Sequence, residues 1–124
     1  MASPVTSVST AVLILAAGPA AAGVLTGSYG NDVGCAGVVA GYQDGDDYVV
    51  LTADGIETYG SGCRFVQRLT TTAGTQLLSS SCFAEGEEGS TTDIVKVANK
   101  GEDGFFVTIP GLDEIGPLKS CSQP

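Results

Sequence analysis

The four cysteines have the best-defined chemistry in this chain. Cys35, Cys63, Cys82 and Cys121 all follow an apolar leader, and an even number of cysteines in a short chain predicts two disulfides. A zinc site would need closely spaced ligands, but the chain has no C-x-x-C pair and no histidine. Four free thiols in a cytosolic protein are the remaining alternative.

Four cysteines allow three pairings. We expect Cys35–Cys63 together with Cys82–Cys121, because the returning strand of a predicted hairpin leads to Cys63 past the loop that holds Cys35. The rival pairing is Cys63–Cys82 with Cys35–Cys121. A turn centred on residues 72–73 would place Cys63 opposite Cys82, but the bond needs particular Cβ positions that most cross-strand registers do not supply.

Paired carboxylates are the next chemistry to consider. In an extended segment, Glu85 and Glu87 would lie on one face about 7 Å apart, within the range that glycoside hydrolysis uses. Glycines flank this segment and no aromatic sugar platform is near, which favours a solvated turn. Without histidine the usual general base is missing, and each thiol is assigned to a disulfide. We therefore predict no catalytic residue and a protein that is not an enzyme.

A second acidic segment lies in a Gly-rich stretch, and loops rich in oxygen ligands bind Ca²⁺. The EF-hand spacing fails, because Tyr48 and Val49 stand where a ligand and the turn glycine belong. We therefore predict a solvated loop, with no metal and no cofactor. The two acidic segments together supply six candidate residues for binding a partner: Asp44, Asp46, Asp47, Glu85, Glu87 and Glu88.

The overall charge limits the class of partner. Asp and Glu number 14 against 5 Lys and Arg, which gives a net charge of −9. Phosphate backbones and anionic lipid surfaces repel such a protein, so nucleic acid is excluded as a partner. Acidity favours solubility by default, and it also suits a basic protein or a cation.

Residues 1–22 are typical of a signal peptide. An apolar run over residues 11–17 ends at Gly18-Pro19, and Ala20 and Ala22 occupy the −3 and −1 positions of a cleavage site before Gly23. The run is too short for a membrane span, although no Lys or Arg precedes it. A helix or strand of the folded domain is the alternative. We predict cleavage, a mature domain of residues 23–124 without a membrane span, and a periplasmic or secreted location.

Short β-branched and aromatic runs recur between Gly, Asp, Ser and Asn, which predicts an antiparallel all-β meander or barrel of six to seven strands. Residues 30–47 are predicted as a long loop that can include a short turn of helix near Cys35. The predicted strands cover residues 24–29, 48–52, 56–59, 63–69, 75–82, 93–98 and 104–109, with 118–121 as an optional edge strand. In the fourth strand we place Cys63, Phe65 and Leu69 on the inward face. Tyrosines in such strands are usually half-buried.

Several short motifs carry a resemblance. They are Gly34-Cys35, the segment from Asp54 to Tyr59 that reads DGIETY, Cys63, Cys82 with the EGE of residues 85–87 after it, and a final Cys121. In this pattern the chain resembles a group of small exported bacterial proteins with four cysteines and no characterised activity. The resemblance implies export and a disulfide-linked β fold, and it transfers no catalytic residue. Tyr29 stands where that group has a tryptophan.

These observations lead to two functional hypotheses. The first is a non-enzymatic exported β-domain, monomeric, with a binding or structural role in the cell envelope. The second is an inhibitor of a basic extracellular enzyme, such as a lysozyme or a protease, because a net negative charge accelerates encounter with a cationic partner.

Overall fold

A computed structural model describes residues 25–121, and the predicted signal peptide lies outside these residues. The fold is a closed antiparallel barrel of eight strands in which each strand pairs with the next and the first pairs with the last. The strands are β1 (Tyr29–Gly30), β2 (Val49–Thr52), β3 (Gly55–Thr58), β4 (Ser61–Thr72), β5 (Thr75–Ala84), β6 (Thr91–Asn99), β7 (Phe105–Thr108) and β8 (Ile115–Ser120). A 3-10 turn at Gly101–Asp103 precedes β7.

The all-β prediction and its sequential order are confirmed, whereas the predicted number of strands is too low. The optional edge strand near the C-terminus is β8, which has a neighbour on both sides because it pairs with β7 and with β1. Closing the sheet in this way removes the free edges that an open meander would leave.

The hairpin predicted around Asp54 is confirmed as β2 and β3, joined by the two-residue loop Ala53-Asp54. Gly55 has a different role from the one that the Asp-Gly pair suggests. It already belongs to β3, and a methyl group on it would overlap the carbonyl oxygen of Cys63 in β4. Gly55 is therefore required by close approach of two strands and not by a positive φ angle in the turn.

The predicted loop over residues 30–47 contains a nine-residue helix, α1 (Asp32–Ala40). Asn31 is its N-cap, and the side-chain oxygen of Asn31 accepts hydrogen bonds from the backbone N–H groups of Gly34 (2.7 Å) and Val49 (3.0 Å). Gly41 ends the helix in the left-handed conformation, with φ of 90°. The helix is longer than the short turn predicted near Cys35, because the glycines and β-branched residues of this segment give it weak helix propensity.

The helix lies against the outside of the barrel. A side chain at Gly34 would overlap the carbonyl oxygen of Val49, so only glycine lets α1 approach β2 this closely. The contact places Cys35 beside the C-terminal end of β8, where it is bonded to Cys121 with a Cα–Cα distance of 4.9 Å.

The disulfide pairing is the rival one, and our favoured pairing was wrong. Cys63 and Cys82 are direct neighbours across β4 and β5, with a Cα–Cα distance of 4.0 Å. The turn between these strands lies at Ala73-Gly74, which without interruption would place Cys63 opposite Ala84.

Two β-bulges in β4 correct the register. The ladder shifts once between Phe65 and Gln67 and again between Arg68 and Thr70, so Val66 and Leu69 are the extra residues. Each shift moves the pairing by one residue, and the two together bring Cys63 opposite Cys82. Both extra residues are exposed (67% and 47%), so the prediction that Leu69 faces inward was wrong.

The barrel interior is filled by aliphatic side chains from successive strands. Leu51, Val95, Val107 and Leu118 are at most 1% exposed, and Leu25 packs against the same cluster just before β1. All four cysteines are bonded. Two disulfides indicate a non-reducing environment, extracellular or periplasmic.

Candidate functional site

The up-and-down order of the strands sorts the connections between the two ends of the barrel. Connections 31–48, 59–60, 85–90 and 109–114 leave from one end, and connections 53–54, 73–74 and 100–104 leave from the other. We call the first the acidic end, because its four connections contain nine of the 14 acidic residues and no Lys or Arg. They are Asp32, Asp44, Asp46, Asp47, Glu85, Glu87, Glu88, Asp113 and Glu114.

All six acidic residues predicted as candidates belong to the acidic end, and each of them is exposed. The opposite end is mixed, since its connections hold Asp54, Lys100, Glu102 and Asp103. The Lys119 ammonium group also bonds to the carbonyl oxygen of Glu102 there, at 2.9 Å. The negative potential of the barrel is therefore concentrated on one end, so the charge distribution of the molecule is asymmetric.

A cleft of about 380 Å³ opens at the acidic end. Its walls include Ile56, Ile109 and the Cys63–Cys82 disulfide, all of which are buried. Phe83 and Leu112 also line it, although they are 53% and 58% exposed. Glu87 and Glu88 bring carboxylates to the same cleft. The cleft therefore combines an apolar surface with negative charge.

The hydroxyl groups that line this cleft are already hydrogen-bonded within the protein. The Oγ1 atom of Thr58 lies 2.7 Å from the Oγ atom of Ser61, and Ser90 accepts a hydrogen bond from Ser81 at 3.1 Å. Thr91 donates to the Asp93 carboxylate at 2.7 Å. Each of these hydroxyls therefore has a partner within the protein, and the other lining groups offer apolar contact and negative charge.

The segment that holds Glu85 and Glu87 is not the extended strand on which the carboxylate-pair hypothesis was based. β5 ends at Ala84, and the chain then turns through Gly86, whose φ is +89°. The N–H of Glu85 bonds to the carbonyl of Gly60 at 2.6 Å, and that of Glu87 bonds to the carbonyl of Ala84 at 3.1 Å. The segment is a braced turn and not an extended strand, as the solvated-turn interpretation expects.

The second acidic segment also lies in an exposed connection. Asp44, Asp46 and Asp47 occupy the return from α1 to β2, where the backbone carbonyl of Asp47 accepts from the Asn31 amide at 2.6 Å. Within residues 25–121, no group of three or more acidic residues or cysteines is arranged to hold a metal ion.

The tyrosines of this end differ from the half-buried pattern expected of strand residues. Tyr42 and Tyr59 are exposed, whereas Tyr48 is half-buried. Burial raises the pKa of the Tyr48 phenol above its ordinary value, and the Glu57 carboxylate and Tyr59 raise it further. A phenolate at position 48 is therefore disfavoured in the folded protein.

This pKa shift predicts a loss of stability in alkali. The folded state holds the Tyr48 proton more tightly than the unfolded state, so the stabilisation is complete below about pH 10 and disappears as pH rises through the folded pKa. We expect Tyr48→Phe to flatten this loss when urea unfolding is compared at pH 8 and pH 11. Tyr42→Phe, at an exposed tyrosine, is the control, and an identical alkaline loss in the Tyr48→Phe protein would contradict the prediction.

The aromatic and aliphatic members of the cleft were missed by sequence reasoning. Phe83 precedes the acidic turn and Leu112 lies in an irregular segment, so neither belongs to a chemical motif. The signal that could have found them is topological. In a meander every second connection lies at the same end, so the order of the strands alone associates 85–90 with 109–114.

Within the described part of the chain, no helix has the length and apolar character needed to span a membrane. No protein-family model matches the sequence, and no curated protein and no solved structure matches it either.

Proposed function

We propose that this protein is a non-enzymatic, exported binding domain of the cell envelope and that its acidic end recognises a basic protein. The observation that carries this proposal is the convergence of nine acidic residues, without a single Lys or Arg, on the connections of one barrel end. The asymmetry has two sources: the connections of the acidic end are longer, with 32 residues against nine at the opposite end, and they contain no Lys or Arg, so negative charge accumulates there.

The physical advantage of this arrangement is orientation during encounter. A field concentrated on one end attracts a cationic partner and also presents the correct surface to it, which raises the association rate. The barrel supplies a rigid support, because the two disulfides and the closed sheet hold the bases of the acidic connections in place.

Two variants with equal change in net charge test the proposal. The first neutralises the acidic end with Glu85→Gln, Glu87→Gln and Glu88→Gln, and the second neutralises the opposite end with Asp54→Asn, Glu102→Gln and Asp103→Asn. We expect the first variant to slow association with a cationic lysozyme by about tenfold at low ionic strength, and the second to slow it much less. Stopped-flow or surface-plasmon measurements at about 20 and about 300 mM salt would show this.

Equal slowing by the two variants would mean that only net charge matters, and it would contradict recognition by the acidic end. Absence of any salt-sensitive complex with cationic proteins would remove the proposal itself.

Inhibition of a basic extracellular enzyme is the second candidate function. The connection 85–90 favours it, because all six residues are exposed while the N–H of Glu85 ties the base of the turn to Gly60. A braced, protruding acidic loop suits insertion into the active-site groove of a basic enzyme. Loss of lysozyme or protease activity upon complex formation, reversed by the first variant, would distinguish inhibition from binding alone.

A further inference from the structure

We infer that the cleft at the acidic end binds one bulky apolar side chain of a polypeptide, carried between Lys or Arg residues. This inference deepens the proposed function and rests on it, since it names the feature of the basic partner that the cleft recognises. The chemistry of the bound segment is inferred from the two kinds of surface in the cleft, which are its apolar walls and its carboxylates.

The apolar part of the cleft accounts for the bulky side chain. Ile56, Ile109 and the Cys63–Cys82 disulfide are covered by the barrel, whereas Phe83 and Leu112 line the same cleft and remain more than half exposed. The Leu112 side chain is exposed at this concave site beside the buried apolar walls, and it loses water when an apolar group enters against it. The volume of about 380 Å³ is sufficient to admit a bulky side chain.

The polar part of the cleft accounts for the flanking cations. The hydroxyls of Thr58, Ser61 and Ser90 are already paired within the protein, so they add little selectivity for a polar ligand. Glu87 and Glu88 are the charged groups that line the cleft, and both are exposed. An apolar side chain on an acidic segment would bring like charges together, whereas one on a basic segment would have complementary charge on either side.

The placement agrees with the anatomy of protein interfaces. Binding energy concentrates where an aromatic or aliphatic anchor fills a pocket, while charged groups around it steer the encounter and contribute less. At the acidic end the cleft holds the apolar surface, and the two connections that line it, 85–90 and 109–114, hold five of the nine acidic residues.

Three capped pentapeptides test the inference: Lys-Lys-Phe-Lys-Lys, Lys-Lys-Ala-Lys-Lys and Glu-Glu-Phe-Glu-Glu. We expect the first to bind between about ten- and a hundredfold more tightly than the second, which is the effect of burying one large apolar side chain. We expect no measurable binding of the third. Calorimetry or fluorescence anisotropy on the full mature protein would provide the affinities.

Two matched variants locate the binding. Leu112→Ser removes an exposed leucine from the cleft, and Leu69→Ser removes one of similar exposure from a bulge of β4 that does not line it. We expect Leu112→Ser to weaken the Phe peptide at least fivefold without affecting the Ala peptide, and Leu69→Ser to leave both unchanged. Both positions are exposed, so neither variant should prevent folding.

Equal affinities for the Phe and Ala peptides would overturn the inference while leaving recognition of basic proteins intact. Equal affinities for the Phe peptides with Lys and with Glu would also overturn it, because the cleft would then accept apolar groups regardless of charge. Failure of both Lys peptides, together with failure of the cationic lysozyme, would overturn the proposed function and this inference with it.

Discussion

Replacing Cys35 and Cys121 with alanine is expected to lower the free energy of unfolding by about 4–5 kcal/mol in the chain-entropy account of disulfides. The two residues are 86 positions apart, so their bond restricts most of the unfolded chain. A domain of this size is stable by only about 5–15 kcal/mol, so this loss is a large fraction of its total stability. Urea unfolding followed by circular dichroism measures the difference.

The other disulfide provides the comparison. Cys63 and Cys82 are 19 residues apart, and the same account assigns about 3 kcal/mol to that bond, with lost packing of two buried sulfurs in addition. Reducing the wild-type protein removes both bonds and should cost more than the double alanine variant. If the variant unfolded at the same urea concentration as the wild type, restriction of the unfolded chain by this bond would not contribute to stability.

Leu51→Ala is expected to destabilise the barrel by about 2–5 kcal/mol, because it removes a large side chain from a fully buried position and leaves a cavity. Leu51 is 0% exposed and pairs with Tyr29 of β1 on one side and with Ile56 of β3 on the other. It therefore helps to hold the shortest strand, where the barrel closes. Thermal and urea unfolding would measure the loss.

Leu69→Ala is the matched control for Leu51→Ala, since it makes the same change at a position that is 47% exposed and lies in a bulge. We expect a change within about 0.5 kcal/mol for this control. A similar loss in both variants would show that Leu51 does not contribute through burial.

Sequence patterns predicted most strands of the barrel, because apolar and polar side chains alternate every two residues along a half-buried strand. β2, β3, β6 and β7 lie within one or two residues of the predicted strands, since alternating or β-branched runs end at Gly, Asn and Asp. The full length of helix α1 was not predicted, because its residues have weak helix propensity. Its stability comes from the Asn31 cap and the close packing of Gly34.

The sequence predicted the acidic residues of the candidate site but not the apolar residues that line its cleft. The acidic segments are visible in the sequence because carboxylates are unambiguous and the glycines around them mark loops. Phe83 and Leu112 are 29 positions apart, and no local pattern relates them. Both line the cleft because β5 and β7 run to the same end of the barrel.

The acidity, the antiparallel strands and the even number of cysteines can all be predicted without the structure, because composition and hydrophobic period do not depend on distant contacts. Which cysteines join was decided by tertiary structure. Two single-residue bulges at Val66 and Leu69 shift the register of β4 by two positions, and such shifts depend on how the whole barrel closes. The same closure brings two of the acidic connections, 85–90 and 109–114, to one cleft and places all four at one end of the barrel, an arrangement that composition alone does not contain.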